Sequence, residues 1–200
     1  DVAAVKAIRE AIGPDKRLRV DANMAWKTAK DAISVIKAME PYRPEMIEQP
    51  VGAHQLEMMA EVRRGVDTPI LADESMWAPR DAAGVIRHGA ADVANIYVAE
   101  AGGIAKAKRM FEMCETFGLG CLIGAMPEFG VGTAAQIHLG IAMPNLGYDS
   151  DTCGVLYHEE DLLKTPLKIE GGFAYAPEGP GLGVEIDMKI LERWAAAARA

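Results

Sequence analysis

The sequence predicts an α/β fold with parallel strands inside and helices outside, closed toward a barrel. Three observations predict it. Apolar runs alternate with helical periodicity, and the run ends (Asp21, Glu48, Asp73, Val98, Gly124, Asp149) recur every 25 to 27 residues, room for one strand, one helix and two short loops. Three consecutive runs, "RLRVDAN", "EMIEQP" and "PILADES", stop on an acid. No G-x-G-x-x-G follows the first strand, so the competing open, doubly wound sheet lacks its phosphate-binding turn. Acids at four of the six run ends suit a barrel, whose strand C-termini share one mouth.

The chain opens in a helix. In "DVAAVKAIREAIGPD" Val2, Val5, Ile8 and Ile12 fall on one face, and Gly13-Pro14 ends it. The strand "RLRV" follows. "KTAKDAISVIKAME" is helical, with Ala29, Ile33, Ile36 and Met39 as its apolar stripe. "EMIE" is a strand, "HQLEMMAEVRRG" a helix and "PILA" a strand. "PRDAAGVIRHG" starts a helix at Pro79 with Asp81 in its first turn. The strand "DVANIYVA", the helix "GIAKAKRMFEMCETFG", the strand "GCLIGA", the helix "VGTAAQIHLGIAMP" and the short strand "GYDSD" complete the repeat. An eight-stranded barrel needs two more strands than these. Residues 1–165 therefore read as barrel strands three to eight, with their helices, of a longer protein. The tail, 166–200, is Gly/Pro-rich through "PLKIEGGFAYAPEGPGLGVEID" and closes in the helix "MKILERWAAAARA". It is expected to pack on a capping domain absent from this chain.

Composition narrows the partners. A net charge of −8 argues against nucleic acid and against anionic membrane surfaces, and no apolar run reaches the roughly 18 residues of a membrane span. Cys114, Cys121 and Cys153 are odd in number and lack metal-ligand spacing, which fits reduced thiols in the cytoplasm. The four His are scattered, without zinc-site spacing.

On adjacent barrel strands, Asp21, Glu48 and Asp73 would point at one mouth. An Asp after a strand often caps the next helix, but three acids in consecutive repeats ask for more. Carboxylates so close repel strongly, and a divalent cation is the simplest compensation. All-oxygen acidic ligands select Mg²⁺, or Mn²⁺, over zinc, and Mg²⁺ keeps positions open for a substrate carboxylate. Asn23, Gln49 and Glu74 stand directly behind the three acids.

"RVDAN", "IEQP" and "LADES", together with "AGGI" and "GPGLGVEID", resemble the enolase superfamily, and within it the mandelate racemase/muconate lactonizing enzymes. The resemblance covers nearly the whole chain. It implies a modified (β/α)₇β barrel, a homo-oligomer, and one Mg²⁺ held by Asp21, Glu48 and Asp73, with Asp73 rather than Glu74 as the third ligand. The chemistry implied is removal of a proton α to a carboxylate, with the enediolate stabilised by the metal. The usual base is a Lys on a strand that would precede Asp1.

Two departures sharpen the reading. Where the family ends its sixth strand on a second Lys, "NIYVAEAGG" has Tyr97, an acid or hydrogen-bond donor rather than a base at neutral pH. That weakens a two-base epimerase and favours a one-base reaction. "IGAMPEFGVG" places Glu128 where the family sets a Glu beside the substrate, although a helix-start acid is the competing reading. In "YDSD", Asp149 and Asp151 resemble the D-x-D with which dipeptide epimerases of the group bind an ammonium. A small carboxylate substrate carrying an amine fits both ends. The sequence thus points first to Mg²⁺-dependent dehydration of a hydroxylated amino or imino acid, hydroxyproline-like. The alternatives are a racemase, epimerase or cycloisomerase on the same scaffold, and, from another class, a non-catalytic metal- or ligand-binding barrel.

Overall fold

The computed structural model describes residues 1–199; Ala200, the last residue of the predicted tail, lies outside the described residues. The helix–strand alternation is as expected: α1 (Val2–Ile12), β1 (Arg19–Asp21), α2 (Ala29–Met39), β2 (Met46–Glu48), α3 (Leu56–Gly65), β3 (Ile70–Ala72), α4 (Pro79–His88), β4 (Val93–Ile96), α5 (Ile104–Phe117), β5 (Gly120–Ile123) and α6 (Gly130–Ala142). The five strands form one parallel sheet in the order β1-β2-β3-β4-β5. Helix ends follow local chemistry. Thr28 caps α2 by accepting from Asp31 N at 3.1 Å, and Gly89 and Gly118 close α4 and α5 in the left-handed conformation. The main core lies between helices and sheet, with Ile36, Met59, Ile70, Met76, Met110 and Phe111 fully buried. Of the apolar face expected on α1, Val5 is buried while Ile8 and Ile12 are exposed.

Two strand expectations change. "DVANIYVA" leaves the sheet after Ile96, because Tyr97–Gly103 coils into turns closed by Ala101 N to Tyr97 O (3.2 Å) and Gly103 N to Val98 O (2.8 Å). The expected last strand, 147–151, follows β5 without becoming a strand. Gly147 N donates to Cys121 O and Asp151 N to Ile123 O, but the Ser150 hydroxyl takes the Ile123 N–H that a backbone carbonyl would take in a ladder. Beside it stands an isolated parallel bridge between Cys121 and Leu146.

The tail carries a short antiparallel hairpin, β6 (Ile169–Glu170) with β7 (Phe173–Ala174), and α7 (Met188–Ala197), whose first N–H groups are capped by Asp187. A bridge between Leu163 and Ile186, and a hydrogen bond between His138 Nε2 and Leu182 O at 3.1 Å, hold the tail to the barrel segment. Among the described residues no helix is long and apolar enough to cross a membrane.

Candidate metal centre and active site

Alternation along the strands builds the site, since residues two apart share a face. Met46, Leu71, Val93 and Leu122 form their own buried cluster. Two residues beyond each stand Glu48, Asp73, Asn95 and Gly124, and two beyond Asn95 stands Tyr97. In β1, Arg19 and Asp21 pair in register with Met46 and Glu48. A polar layer thus rests on an apolar floor. It lines a cavity of about 560 Å³, completed by Asn23, Glu74, Trp77, Met126 and residues 149–151. Asp21 and Glu48 end their strands, whereas Asp73 follows the last residue of β3 and begins a 3₁₀ turn.

The floor makes charge expensive. Burial, then the bond shared with Asp73 and the charges of Asp73 and Asp21, push the Glu48 carboxyl up to about 9. Asp21 and Glu74 are also raised, chiefly by burial, with Asp73 adding to both. Asn95 Nδ2 holds the cluster together, donating to Glu48 Oε1 (2.9 Å) and Asp73 Oδ2 (3.3 Å) and lying 3.1 Å from Tyr97 Oη. Tyr97 Oη donates to Asp73 Oδ2 at 2.5 Å. Burial and that bond drive the phenol far above its ordinary value, so Tyr97 is a donor and not a base.

Two of the residues behind the acids, Gln49 and Asn23, hydrogen-bond to the strand ends. Gln49 is fully buried at φ 33°, a left-handed backbone that a side chain rarely adopts. Its Oε1 accepts from Asp73 N (3.0 Å) and Ser75 N (3.2 Å), and its Nε2 donates to Val51 O and Ser75 Oγ. One amide therefore ties the end of β2 to the end of β3. Asn23, also left-handed at φ 44°, donates its backbone N–H to Asp21 Oδ1 (2.8 Å) and its side-chain amide to Oδ2.

The donor set fits a hard divalent cation. It is all oxygen, it is acidic, and the Asp73 charge adds to the raised proton affinity of Asp21 and Glu48, which a cation would reverse. Asp21, Glu48 and Asp73 are the residues that would hold it. Among the described residues no three acidic, Cys or His side chains already stand in ligating geometry. Their oxygens accept from Asn23, Asn95 and Tyr97, and ligation would exchange those bonds. Glu48 also predicts a pH dependence. The folded protein holds the Glu48 proton more tightly than the unfolded chain, so in chelator its stability is expected to fall as pH rises from the ordinary carboxylate range toward about 9. Melting temperatures from pH 5 to pH 9 should slope downward, and Glu48→Gln should flatten the slope. An equal slope in both proteins would remove Glu48 as its source.

The other expected residues are placed less simply. Asp149 lines the cavity, but its carboxylate pairs with Arg17 at 2.5 Å and its carbonyl accepts from Arg19, basic neighbours that the local sequence around "YDSD" does not contain. Asp151 lines the cavity and accepts from Cys153 Sγ at 3.0 Å. Glu128 is not in the cavity lining, and both its carboxylate oxygens are buried and unpartnered. Glu100 has one such oxygen, and its carboxyl is raised by burial and then by Glu128 and Asp73. Trp77 is 45% exposed and lines the cavity. Asn95 was missed, although the two-residue step from Val93 to Tyr97 marks it as inward-facing.

The order and geometry of these motifs match one family: residues 1–190 fit the model of the enolase C-terminal domain-like proteins. The chain belongs to the enolase C-terminal domain-like family. The resemblance read from the motifs therefore holds, and the parallel sheet is the C-terminal barrel part of an enolase-superfamily fold. Muconate cycloisomerase 1 of Rhodococcus opacus is 36% identical over 194 residues, 97% of this chain and 52% of that protein. The hydrophobic dipeptide epimerase of Enterococcus faecalis is 45% identical over 147 residues, 73% of this chain and 41% of that protein. A crystal structure of a dipeptide epimerase from Enterococcus faecalis V583, complexed with Mg and the dipeptide L-Leu-L-Tyr, superposes with a TM-score of 0.86 at 39% identity, over 92% of this chain and 52% of that one. The chain spans about half the length of these enolase-superfamily relatives.

Proposed function

We propose that this chain is the barrel part of a Mg²⁺-dependent isomerase that moves a proton on the carbon α to a substrate carboxylate, the substrate being an amino-acid derivative such as a dipeptide. The observation that carries the reading is the layer of Asp21, Glu48 and Asp73 around one cavity on an apolar floor. Mg²⁺, or Mn²⁺ in its place, would supply positive charge to the carboxylate and to the charge that grows there as the α proton leaves. The chain's own residues do the rest. Asn95 and Tyr97 fix the Glu48–Asp73 pair, Asp151 faces the substrate ammonium across the cavity, and Glu128 supplies an acid or acceptor beside it. The base is expected on a strand that precedes Asp1 in the family. Isomerase relatives support this reading over the dehydration first expected and over a non-catalytic barrel.

Tyr97 favours a second reading. Its hydroxyl is committed to Asp73 and cannot serve as the second base that a two-base epimerisation uses. A one-base cycloisomerisation needs no such group. Incubating the full-length protein with Mg²⁺ in D₂O separates the two. With L-Leu-L-Tyr, α-deuterium incorporation and appearance of the epimer are expected. Asp151→Asn should raise KM for the dipeptide at least tenfold, less than loss of a buried ion pair would cost because Asp151 is exposed. Lactone formed from muconate, with no exchange into the dipeptide, would replace the first reading by the second. No reaction with either probe would overturn both.

A further inference from the structure

We propose that the segment Gly154–Leu163 and the C-terminal helix α7 form a clamp that orders the loop carrying Glu128 and holds its carboxyl in place. The loop, 124–129, has no secondary structure of its own, and its two Glu128 oxygens are buried without a hydrogen-bond partner. Such a group costs free energy, so something outside the loop must hold it there.

Contacts from both segments do so. The backbone of Gly154 lies flat on Glu128: a Cβ there would stand 2.5 Å from Glu128 N and 2.6 Å from its carbonyl oxygen. His158 Nε2 lies 2.7 Å from Pro127 O, and since a carbonyl only accepts, that nitrogen carries the proton. The His158 ring stacks on Phe129, with centroids 4.2 Å apart, and Trp194 of α7 lies against the same Phe129 at 5.1 Å. Helix α6 lacks a side-chain cap from its own N-cap residue, Phe129. Asp161 replaces it from a distant segment, accepting from Gly130 N at 2.8 Å. Trp194 and Arg193 in turn both donate to Glu160, which ties α7 to the clamping segment. None of these residues lines the acid cavity. They are positioning residues.

The test uses the full-length protein and two readouts. Hydrogen exchange of the 125–133 amides needs no substrate. In the double variant His158→Ala/Trp194→Ala these amides should exchange at least about tenfold faster, while β1–β4 stay unchanged. Gly154→Ala should do the same without touching α7. His158→Gln with Trp194→Phe, which keeps a donor and a ring, should restore protection. The kinetic readout rests on the proposed isomerase reading. There kcat for L-Leu-L-Tyr should drop about ten- to a hundredfold in the double variant, with KM nearly constant. Unchanged exchange at 125–133 overturns the clamp whether or not the dipeptide is a substrate. Faster exchange with unchanged kcat in a protein that turns the dipeptide over also overturns its positioning role. A wild-type protein inert toward the dipeptide sinks the functional reading alone, and exchange still decides the clamp.

Discussion

Asp73→Asn in the full-length protein is expected to lower turnover by about 10³-fold or more and to leave the fold intact. The substitution keeps size and shape, and Gln49 still accepts from the backbone N–H of residue 73. What is lost is a charge at the centre of the site. Asp73 Oδ2 is the common acceptor of Tyr97 and Asn95, and the Asp73 charge bears on Asp21, Glu48 and Glu74. A cation held there would contribute several kcal/mol of transition-state stabilisation, and each 1.4 kcal/mol is about tenfold in rate. Removing one carboxylate of three weakens both the holding and the charge. Turnover of L-Leu-L-Tyr, Mn²⁺ affinity and far-UV circular dichroism check the expectation together. Activity within tenfold of wild type would take Asp73 out of the centre.

Gln49→Leu is expected to destabilise the protein by about 2–5 kcal/mol. The side chain is fully buried and serves four partners at once. Leucine fills similar space but leaves the N–H groups of Asp73 and Ser75 without their acceptor, and each buried unsatisfied group costs about 1–3 kcal/mol. The left-handed backbone at φ 33° adds strain that Leu relieves no better than Gln. For a chain of this size the melting temperature should fall by roughly 5 to 15 °C. Urea unfolding should show a lower midpoint at unchanged slope. An unchanged midpoint would show that water replaces the amide at no cost.

The sequence by itself determined the architecture and the acids. Strict alternation of strand and helix at a near-constant spacing leaves few topologies, and an acid at three successive run ends survives any error of a residue in the boundaries. Asp73 shows this: it lies just past β3, yet the two-residue step from Leu71 still turns it inward. Gln49 and Asn23 were legible for the same reason, as polar residues next to acids in a chain otherwise entering a helix.

Only the tertiary structure decided how the site is wired. Arg17 reaches Asp149 across 132 positions of sequence, and Arg19 reaches the same residue's carbonyl, so no local pattern could show that Asp149 is already paired. Ser150 takes a ladder hydrogen bond with its side chain, which periodicity cannot register, and the expected last strand does not form. His158 had no legible role because its partners, Pro127 and Phe129, lie in a loop that precedes it by about thirty residues. Strand and helix patterns follow from short-range sterics and periodic burial and are written along the chain. Ion pairs, caps from distant segments and the proton affinities of buried acids depend on which groups the fold brings within a few ångströms, and that is settled only when the sheet is assembled.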